Sequence, residues 1–276
     1  MVFSSLVKPY RWRLLLTLTL IIIESLLGIL FPLFIGEAIE SMLKKDVSGI
    51  MQLGVLGALV VIIGGIRRLY DSRFYAKVYT KMGGEIVNRM RQQNNSIKAA
   101  RLNMLAEMVK FAENQFPDII QHSIGLIGVM IIIAFLNVNI FFGTIIAGVL
   151  VVGIYFLSSN KTFQYNSQFN NEMEAQVTII ASNRQSGLKN HLLKLMKWNI
   201  KLSDIETINY SASWILMILL LMASISLSVS SGVVQYGALF ALIMYVYQYI
   251  ESLVSLPLYY QQWLRLREIA QRIQEI

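Results

Sequence analysis

The chain has 276 residues and carries 24 Lys and Arg against 16 Asp and Glu, for a formal net charge of +8. With 55% hydrophobic and 14% charged residues, it holds more apolar surface than a soluble domain of this length buries, which excludes an entirely soluble fold. Because the basic residues flank apolar runs, we expect no nucleic-acid partner. The lack of cysteine excludes disulfides and a Cys nucleophile, and two histidines make a metal site unexpected.

Six apolar runs dominate the chain, and a helix needs roughly 20 mostly apolar residues to cross a bilayer. They cover residues 14–36, 50–66, 119–136, 138–158, 211–230 and 236–258. The sequence therefore predicts an all-α membrane protein with six transmembrane helices. Of the 24 basic residues, all but Lys44 and Lys45 fall on the side of the N-terminus. Since positive charge is retained in the cytoplasm, we expect a multi-pass cell-membrane protein with both termini cytoplasmic.

The first span contains Glu24 about 15 Å from its start, near the middle of the bilayer. An ionisable group at that depth is costly and is a functional hypothesis by default. Thr17, Ser25 and Gly28 share its helical face, which we interpret as part of a transport pathway. The alternative is that Glu24 is a hydrogen-bonded packing residue at a helix contact.

Two inner segments, residues 67–118 and 159–210, are 52 residues long each, and both show helical apolar periodicity. The stripe residues in the first are Tyr75, Val78, Met82, Ile86, Met90, Leu102, Leu105, Val109, Ala112 and Phe116, and in the second Phe169, Met173, Val177, Ile180, Leu188, Leu192, Leu195, Leu202 and Ile205. At 1.5 Å per residue, each predicted stalk carries spans 2 to 5 on the order of 35 Å into the cytosol. Arg67, Arg68 and Arg73, at the start of the first segment, are expected to snorkel to lipid phosphates or to attract an anionic substrate.

The third span follows Pro117, which we expect to open that helix, and contains His122 near its inner end. His122 is a candidate for ion coupling together with Glu24 and Glu251, although a lone His is often purely structural. On spans 4 and 5, small residues favour close helix packing. These residues are Gly143, Ala147, Ser213, Ser224 and Ser228.

The sixth span carries a polar stripe with a spacing of three and four residues, which is typical of a helix face that lines water. Its members are Tyr245, Gln248, Glu251, Ser252, Ser255, Tyr259 and Gln262. We predict that this stripe and the Glu24 face line the substrate pathway. The alternative for Glu251 is again a packing role. Pro32 and Pro257 predict kinks in spans 1 and 6.

Several short segments together resemble the six-helix transmembrane domain of type IV ABC exporters. They are Pro9-Tyr10-Arg11-Trp12-Arg13, Phe31-Pro32-Leu33-Phe34-Ile35-Gly36, Asn114-Gln115-Phe116-Pro117-Asp118, Ser186-Gly187-Leu188-Lys189 and Leu266-Arg267-Glu268-Ile269-Ala270-Gln271-Arg272-Ile273. The resemblance implies a dimer that exchanges helices 4 and 5 between its halves around a central cavity. It also implies that the stalk tips dock on ATPase domains. The tip residues so implied are Asn94, Ser96, Lys98, Arg101, Gln185, Gly187 and Lys189.

Such exporters usually continue into a nucleotide-binding domain with a G-x-x-x-x-G-K-[ST] loop, whose Lys and backbone N–H groups hold phosphate. None of the 17 glycines here is followed by Lys. We therefore predict a single transmembrane domain over residues 1–276 that is not an enzyme. It binds no cofactor itself, and ATP enters only through a partner subunit.

Three functions follow from these expectations. The first is a homodimeric translocation subunit that an ATPase on a separate chain energises, with a small molecule or peptide as substrate. The second is a proton-driven transporter on the same scaffold, coupled through Glu24 or Glu251. The third is a non-transporting partner or a fragment of a longer exporter.

Overall fold

A computed structural model describes residues 10–92, 95–181, 185–230 and 235–274. This part of the chain folds into seven α-helices and one π-helical segment. The helices are α1 (Arg11–Leu43), α2 (Ser48–Arg89), α3 (Asn95–Lys110), α4 (Phe116–Leu136), α5 (Val138–Ala181), α6 (Gln185–Ser230) and α7 (Tyr236–Gln274), with the π segment at Phe111–Gln115. Six of the helical stretches are long and apolar enough to cross a membrane, as the sequence predicts. Five of them, at 33 to 46 residues, far exceed the length of a bilayer span.

The connections are shorter than the hydropathy pattern indicates. Residues 37–49 are expected to form a loop, but α1 continues to Leu43 and only residues 44–47 lie between it and α2. Lys45 makes the turn with a φ of 62°, which is uncommon for a residue with a side chain. Asn137 separates α4 from α5 in an extended conformation, at the boundary between the third and fourth predicted spans.

The chain divides into two compact units. The first unit contains residues 1–138 and 227–276, and the second contains residues 139–226, which form most of α5 and α6. In the first unit, α1 packs against α2, α4 and α7, and α4 also packs against α7. Its closest helix contact joins Gly36 of α1 to Gly237 of α7, whose backbones meet with no space for a Cβ on either residue. Two glycines are therefore required where these helices cross.

The predicted first stalk is confirmed as a packed structure of α2 and α3. Ile86, Met90 and Leu105 form a buried apolar cluster, against which Tyr79, Met82 and Val109 pack. Gly83 lets Leu102 approach, at 3.3 Å from the position of a Cβ, whereas Gly84 faces open space. The helical periodicity of the sequence thus identifies the buried face of this stalk.

In the second unit, the small residues of α5 and α6 are largely buried, in agreement with a packing role. Leu220 lies 3.3 Å from where a Cβ of Gly143 would be. Ala147, Ser213, Ser224 and Ser228 are also buried. The amide of Asn209 on α6 donates a hydrogen bond of 2.7 Å to the Ser158 hydroxyl on α5. This polar contact fixes the two helices relative to each other where they leave the predicted spans.

Pro117 lies in the first turn of α4, as predicted, but the chain enters this helix from a π-helical segment and not from a loop. The π-helical Phe111–Gln115 continues directly into α4, with Pro117 in the first turn after it. Proline has no N–H to donate to the preceding turn, and a π segment is one way in which a helix accommodates such a loss. Pro32 and Pro257 lie inside α1 and α7, as predicted.

Candidate functional site

The most polar buried region of the first unit lies between α1 and α2. Arg67 Nε donates to Glu24 Oε2 at 2.6 Å, and Arg67 Nη1 donates to Asp71 Oδ2 at 3.2 Å. The Thr17 hydroxyl donates to the other Asp71 oxygen at 2.7 Å. Arg67 is only 4% exposed and Asp71 is 1% exposed. These four residues form a buried ion cluster that ties α1 to α2.

Helix geometry explains why the cluster forms. Arg67 and Asp71 are four residues apart, so they share one face of α2, and that face is directed at α1. Gly64 precedes Arg67 by one turn, and a Cβ there would lie 2.9 Å from Glu24 Oε1. The absence of a side chain at Gly64 gives the Glu24 carboxylate its space. The cluster has two carboxylates and one guanidinium, so each charge has an opposite charge in contact.

Arg67 therefore does not snorkel to lipid, contrary to the expectation from the sequence. Arg68 and Arg73 are exposed, in agreement with that expectation. Glu24 lies at a helix contact and pairs with Arg67, so its geometry agrees with the packing alternative. Its predicted roles in the pathway and in ion coupling stay predictions. Ser25 is also buried and donates to the carbonyl of Ile21, while Gly28 has open space beside it.

The predicted stripe on α7 does not face a single environment. Tyr245 is fully buried, and its hydroxyl donates to the Ile29 carbonyl of α1 at 2.9 Å. Ser252 is buried next to Gly125 of α4, with its oxygen 3.8 Å from the position of a Cβ there. Tyr245 and Ser252 are thus contacts between helices.

Other members of that stripe are more accessible. Glu251 is exposed, Ser255 is half-buried and its hydroxyl donates to the Glu251 carbonyl, and the side chain of Gln262 lies outside the described part. The side-chain oxygen of Gln248 is buried and has no hydrogen-bond partner among the described residues. An unpartnered buried amide oxygen costs about 1–3 kcal/mol, so it marks a place for a water or a ligand donor. Gln248 and Glu251 are the stripe residues whose geometry suits a pathway.

His122, a predicted candidate for ion coupling, and Tyr259, a member of the predicted stripe, lie next to each other in the structure. Their rings lie 5.3 Å apart at an angle of 39°, joining α4 to the inner part of α7. Burial raises the pKa of Tyr259 above its usual value, and the charges of Asp118 and Glu251 act in the same direction. The carboxylates of Asp118 and Glu251 are therefore near this aromatic pair.

The predicted coupling tips are described in part. At the first tip, Asn94 and the side chain of Ser96 lie outside the described residues, while Lys98 donates to the Arg91 carbonyl at 3.2 Å. Arg101 lies one turn further along α3, with Nη1 3.8 Å from the Met104 sulfur. At the second tip, Gln185 begins α6, Gly187 is half-buried and Lys189 is exposed. Their role in docking stays a prediction.

The sequence analysis missed a buried polar contact in the second unit. His191 is 2% exposed, and its Nδ1 lies 3.0 Å from Glu172 Oε2, which joins α6 to α5. Its other ring nitrogen is buried without a partner among the described residues. The missed signal was the helical spacing of His191 with the stripe residues Leu188 and Leu195, which places it on their face. The missed signal for Asp71 was its separation of four residues from Arg67.

Six membrane-length helices define an all-α polytopic membrane protein, and most of two of these helices forms a separate unit. A family model described as ABC transporter transmembrane region matches residues 3–238, and the chain belongs to this family. No curated protein matches the sequence. The fold is similar to a solved structure of a bacterial Atm1-family ABC exporter with ATP bound, with a TM-score of 0.63 and 13% identity. The match covers 96% of this chain and 54% of the exporter, so the chain spans about half the length of that protein.

Proposed function

We propose that this chain is the translocation subunit of an exporter-type transporter, in which two copies enclose an alternating-access pathway. In this proposal an ATPase on a separate polypeptide energises transport. Membership of the ABC transporter transmembrane family and the similar fold support a role in transport. The observation that carries the dimer is the separate second unit, which contains most of α5 and α6. These two helices correspond to helices 4 and 5 of the exporter domain, which the family resemblance implies are exchanged between two copies.

The exposed apolar surface of the second unit supports this exchange. Leu192, Leu193 and Met196 of α6 are all more than two-fifths exposed, although they lie in a segment predicted to be outside the membrane. An apolar surface of this kind in water usually marks an interface. A second copy supplies a partner for it, and both copies then contribute to one closed channel.

The distribution of charge supports a cytoplasmic location of both termini and both stalks. All basic residues except Lys44 and Lys45 fall on that side, which is the arrangement that the positive-inside rule describes. The stalk tips then lie where a cytosolic ATPase can reach them. Lys98, Arg101 and Lys189 are the basic residues proposed to contact it, and ATP is bound by that partner and not by this chain.

We propose that Gln248 and Glu251 of α7 line the substrate pathway. Glu251 is exposed in the first unit, and Gln248 has a buried oxygen free to accept a hydrogen bond among the described residues. Glu24 is held by Arg67, so the geometry offers it less readily as a mobile proton carrier. This contact favours ATP-driven over proton-driven transport.

The dimer is tested by the labelling of introduced cysteines, for which the lack of native cysteine gives a clean background. Leu193→Cys is placed in the exposed face of α6 and Leu43→Cys, also exposed, at the far end of α1 as a control. If a second copy covers the α6 face, an iodoacetamide probe labels Leu193→Cys in denatured protein but poorly in the native membrane. Equal labelling of both positions in native membranes, together with a monomeric mass in detergent, contradicts the dimer.

The energy source is tested in proteoliposomes that contain the chain together with an ATPase that copurifies with it. Counterflow or uptake that requires ATP and is blocked by vanadate supports the proposal. Uptake that ignores ATP but follows an imposed pH gradient, and that is abolished by Glu24→Gln with Glu251→Gln, supports the proton-driven alternative instead.

A further inference from the structure

One end of α1 and α2 carries a cluster of exposed positive charges that the proposed transport function does not use. We name it the basic collar, and it consists of Arg11, Arg13, Arg68, Arg73, Lys77 and Lys81, all of which are exposed. On the same stretches of these helices, residues 10–30 and 60–84, no Asp or Glu is exposed, since Asp71 is buried and Glu24 is half-buried in the ion cluster. Glu85, one helical turn beyond Lys81, is half-buried, so the collar keeps an excess of positive charge.

Aromatic contacts bring the two halves of the collar together. The Tyr10 ring lies 5.6 Å from the Phe74 ring, and the Lys81 ammonium lies 5.6 Å from the centre of the Tyr10 ring. The Arg11 guanidinium lies 5.7 Å from the ring of Trp12, which is 72% exposed. An exposed Trp among basic residues at the end of a membrane helix is typical of the bilayer interface, where its apolar and polar parts are both satisfied.

The exposed face of α2 shows where apolar contact ends and charge begins. Ile62, Ile66, Leu69, Arg73 and Lys77 follow one another at spacings of four, three, four and four, so they lie on one stripe of the helix. The first three side chains are each more than half exposed, which suits acyl chains. Arg73 Nη1 donates to the Leu69 carbonyl at 2.9 Å, which holds the guanidinium next to the last apolar residue of the stripe. This order matches the tail and phosphate of one phospholipid.

The other end of the same two helices lacks these features. Lys44 there pairs with Glu40 at 3.4 Å, and Glu37 and Asp46 add further negative charge close by. The excess of positive charge is thus confined to one leaflet. We propose that the basic collar binds anionic phospholipid headgroups, with Arg73 and Lys77 contacting the phosphate and Trp12 lying at its level. This inference is independent of whether the chain transports a substrate.

The test uses the fluorescence of Trp12 in reconstituted full-length protein. Quenching is measured in vesicles that contain brominated phosphatidylglycerol or brominated phosphatidylcholine, and the signal lost in Trp12→Phe isolates Trp12 from the other three tryptophans. We expect phosphatidylglycerol to quench Trp12 at lower mole fraction than phosphatidylcholine does. Each charge removed from the collar should weaken the relative binding roughly fivefold, which corresponds to about 1 kcal/mol for a basic residue near an anionic surface.

The variants are Arg73→Gln with Lys77→Gln, and the matched control is Lys44→Gln with Lys45→Gln at the other end. The proposal requires the first pair to lose the preference and the second pair to keep it. Equal quenching by the two lipids, or a preference that survives in the Arg73 and Lys77 variant, overturns the proposal. Absence of quenching by either lipid also overturns it, since a second copy would then cover the collar. Release of phosphatidylglycerol by heparin at low concentration would assign the collar to an acidic macromolecule instead.

Discussion

The two stalks look alike in sequence but differ in what covers their apolar residues. The first, formed by α2 and α3, buries Ile86, Met90 and Leu105 in a cluster of its own. In the second, formed by the ends of α5 and α6, Leu195 is buried but Leu192 and Ile180 are about half exposed. The first stalk therefore buries its apolar residues within one chain, whereas the second leaves part of its apolar stripe exposed.

This difference shows what apolar periodicity does and does not determine. A spacing of three and four residues places apolar side chains on one helix face, but it does not identify the surface against which that face packs. In the second unit the contacts between α5 and α6 include polar ones, from Asn209 to Ser158 and from His191 to Glu172. Two segments of equal length and similar pattern can thus differ in how much of their apolar stripe a single chain buries.

The largest effect that we expect concerns the buried ion cluster of the first unit. Arg67→Met leaves Glu24 and Asp71 without their shared counter-charge, and breaking a buried pair in this way costs about 3–5 kcal/mol. The variant should lower the thermal unfolding midpoint in detergent strongly, and Arg68→Met, at an exposed neighbouring position, serves as the control. A midpoint equal to that of the control contradicts the proposed role of the ion cluster in joining α1 to α2.

The second prediction compares the stalks directly. Leu105 is 1% exposed, so Leu105→Ala should cost about 2–5 kcal/mol in any oligomeric state. Leu192 is 44% exposed in a single chain, so Leu192→Ala should change the stability of monomeric protein by no more than about 0.5 kcal/mol. Unfolding is followed in detergent at protein concentrations on either side of dimer dissociation. A loss of stability in Leu192→Ala that appears only in the dimer supports the difference between the two stalks. The same loss in the monomer contradicts it.

The sequence predicts the six spans because each is a long apolar run, and burial in lipid requires no knowledge of partners. It also predicts the first stalk and the small residues between α5 and α6. It does not predict that Tyr245 and Ser252 are packing residues, because a polar stripe has the same spacing whether it faces water or another helix. The contacts of Arg67 could not be predicted from the sequence either, since they depend on how α1 lies against α2.

Pro117 illustrates a different limit. The sequence pattern correctly indicates a change in the helix near this residue, but a proline at the first turn and a proline after a π segment have the same local sequence. Only the backbone hydrogen bonds of the preceding residues distinguish the two. Gln248 and Glu251 stay predicted pathway residues for a related reason, since the proposed wall opposite them comes from a second copy of the chain.

The third prediction concerns the crossing of α1 and α7 in the first unit. Gly36→Ala or Gly237→Ala places a Cβ against the backbone of the other helix, which cannot move aside as a side chain can. We therefore expect the free energy of unfolding to fall by about 1–3 kcal/mol. Gly57→Ala is the matched control, because no atom lies within 4 Å of its Cβ position and alanine favours the helix. Thermal unfolding should separate the variants, with the control at or above the original midpoint. Equal midpoints would mean that α1 and α7 do not need this contact.

The smallest effect is expected at the short turn between α1 and α2, far from either stalk. The pKa of Asp46 is held below its usual value of 3.8, first by the hydrogen bond from the Ser48 hydroxyl, 2.6 Å away, and then by the Ser48 backbone N–H. A carboxylate with a lowered pKa stabilises the fold above its usual pKa and loses that contribution as the pH falls through the lowered value. Asp46→Asn should therefore reduce the unfolding midpoint slightly at neutral pH, and the difference from the original protein should disappear as the pH falls below 3.8. A difference that persists in acid would show that the shape of the side chain, and not its charge, supports the start of α2.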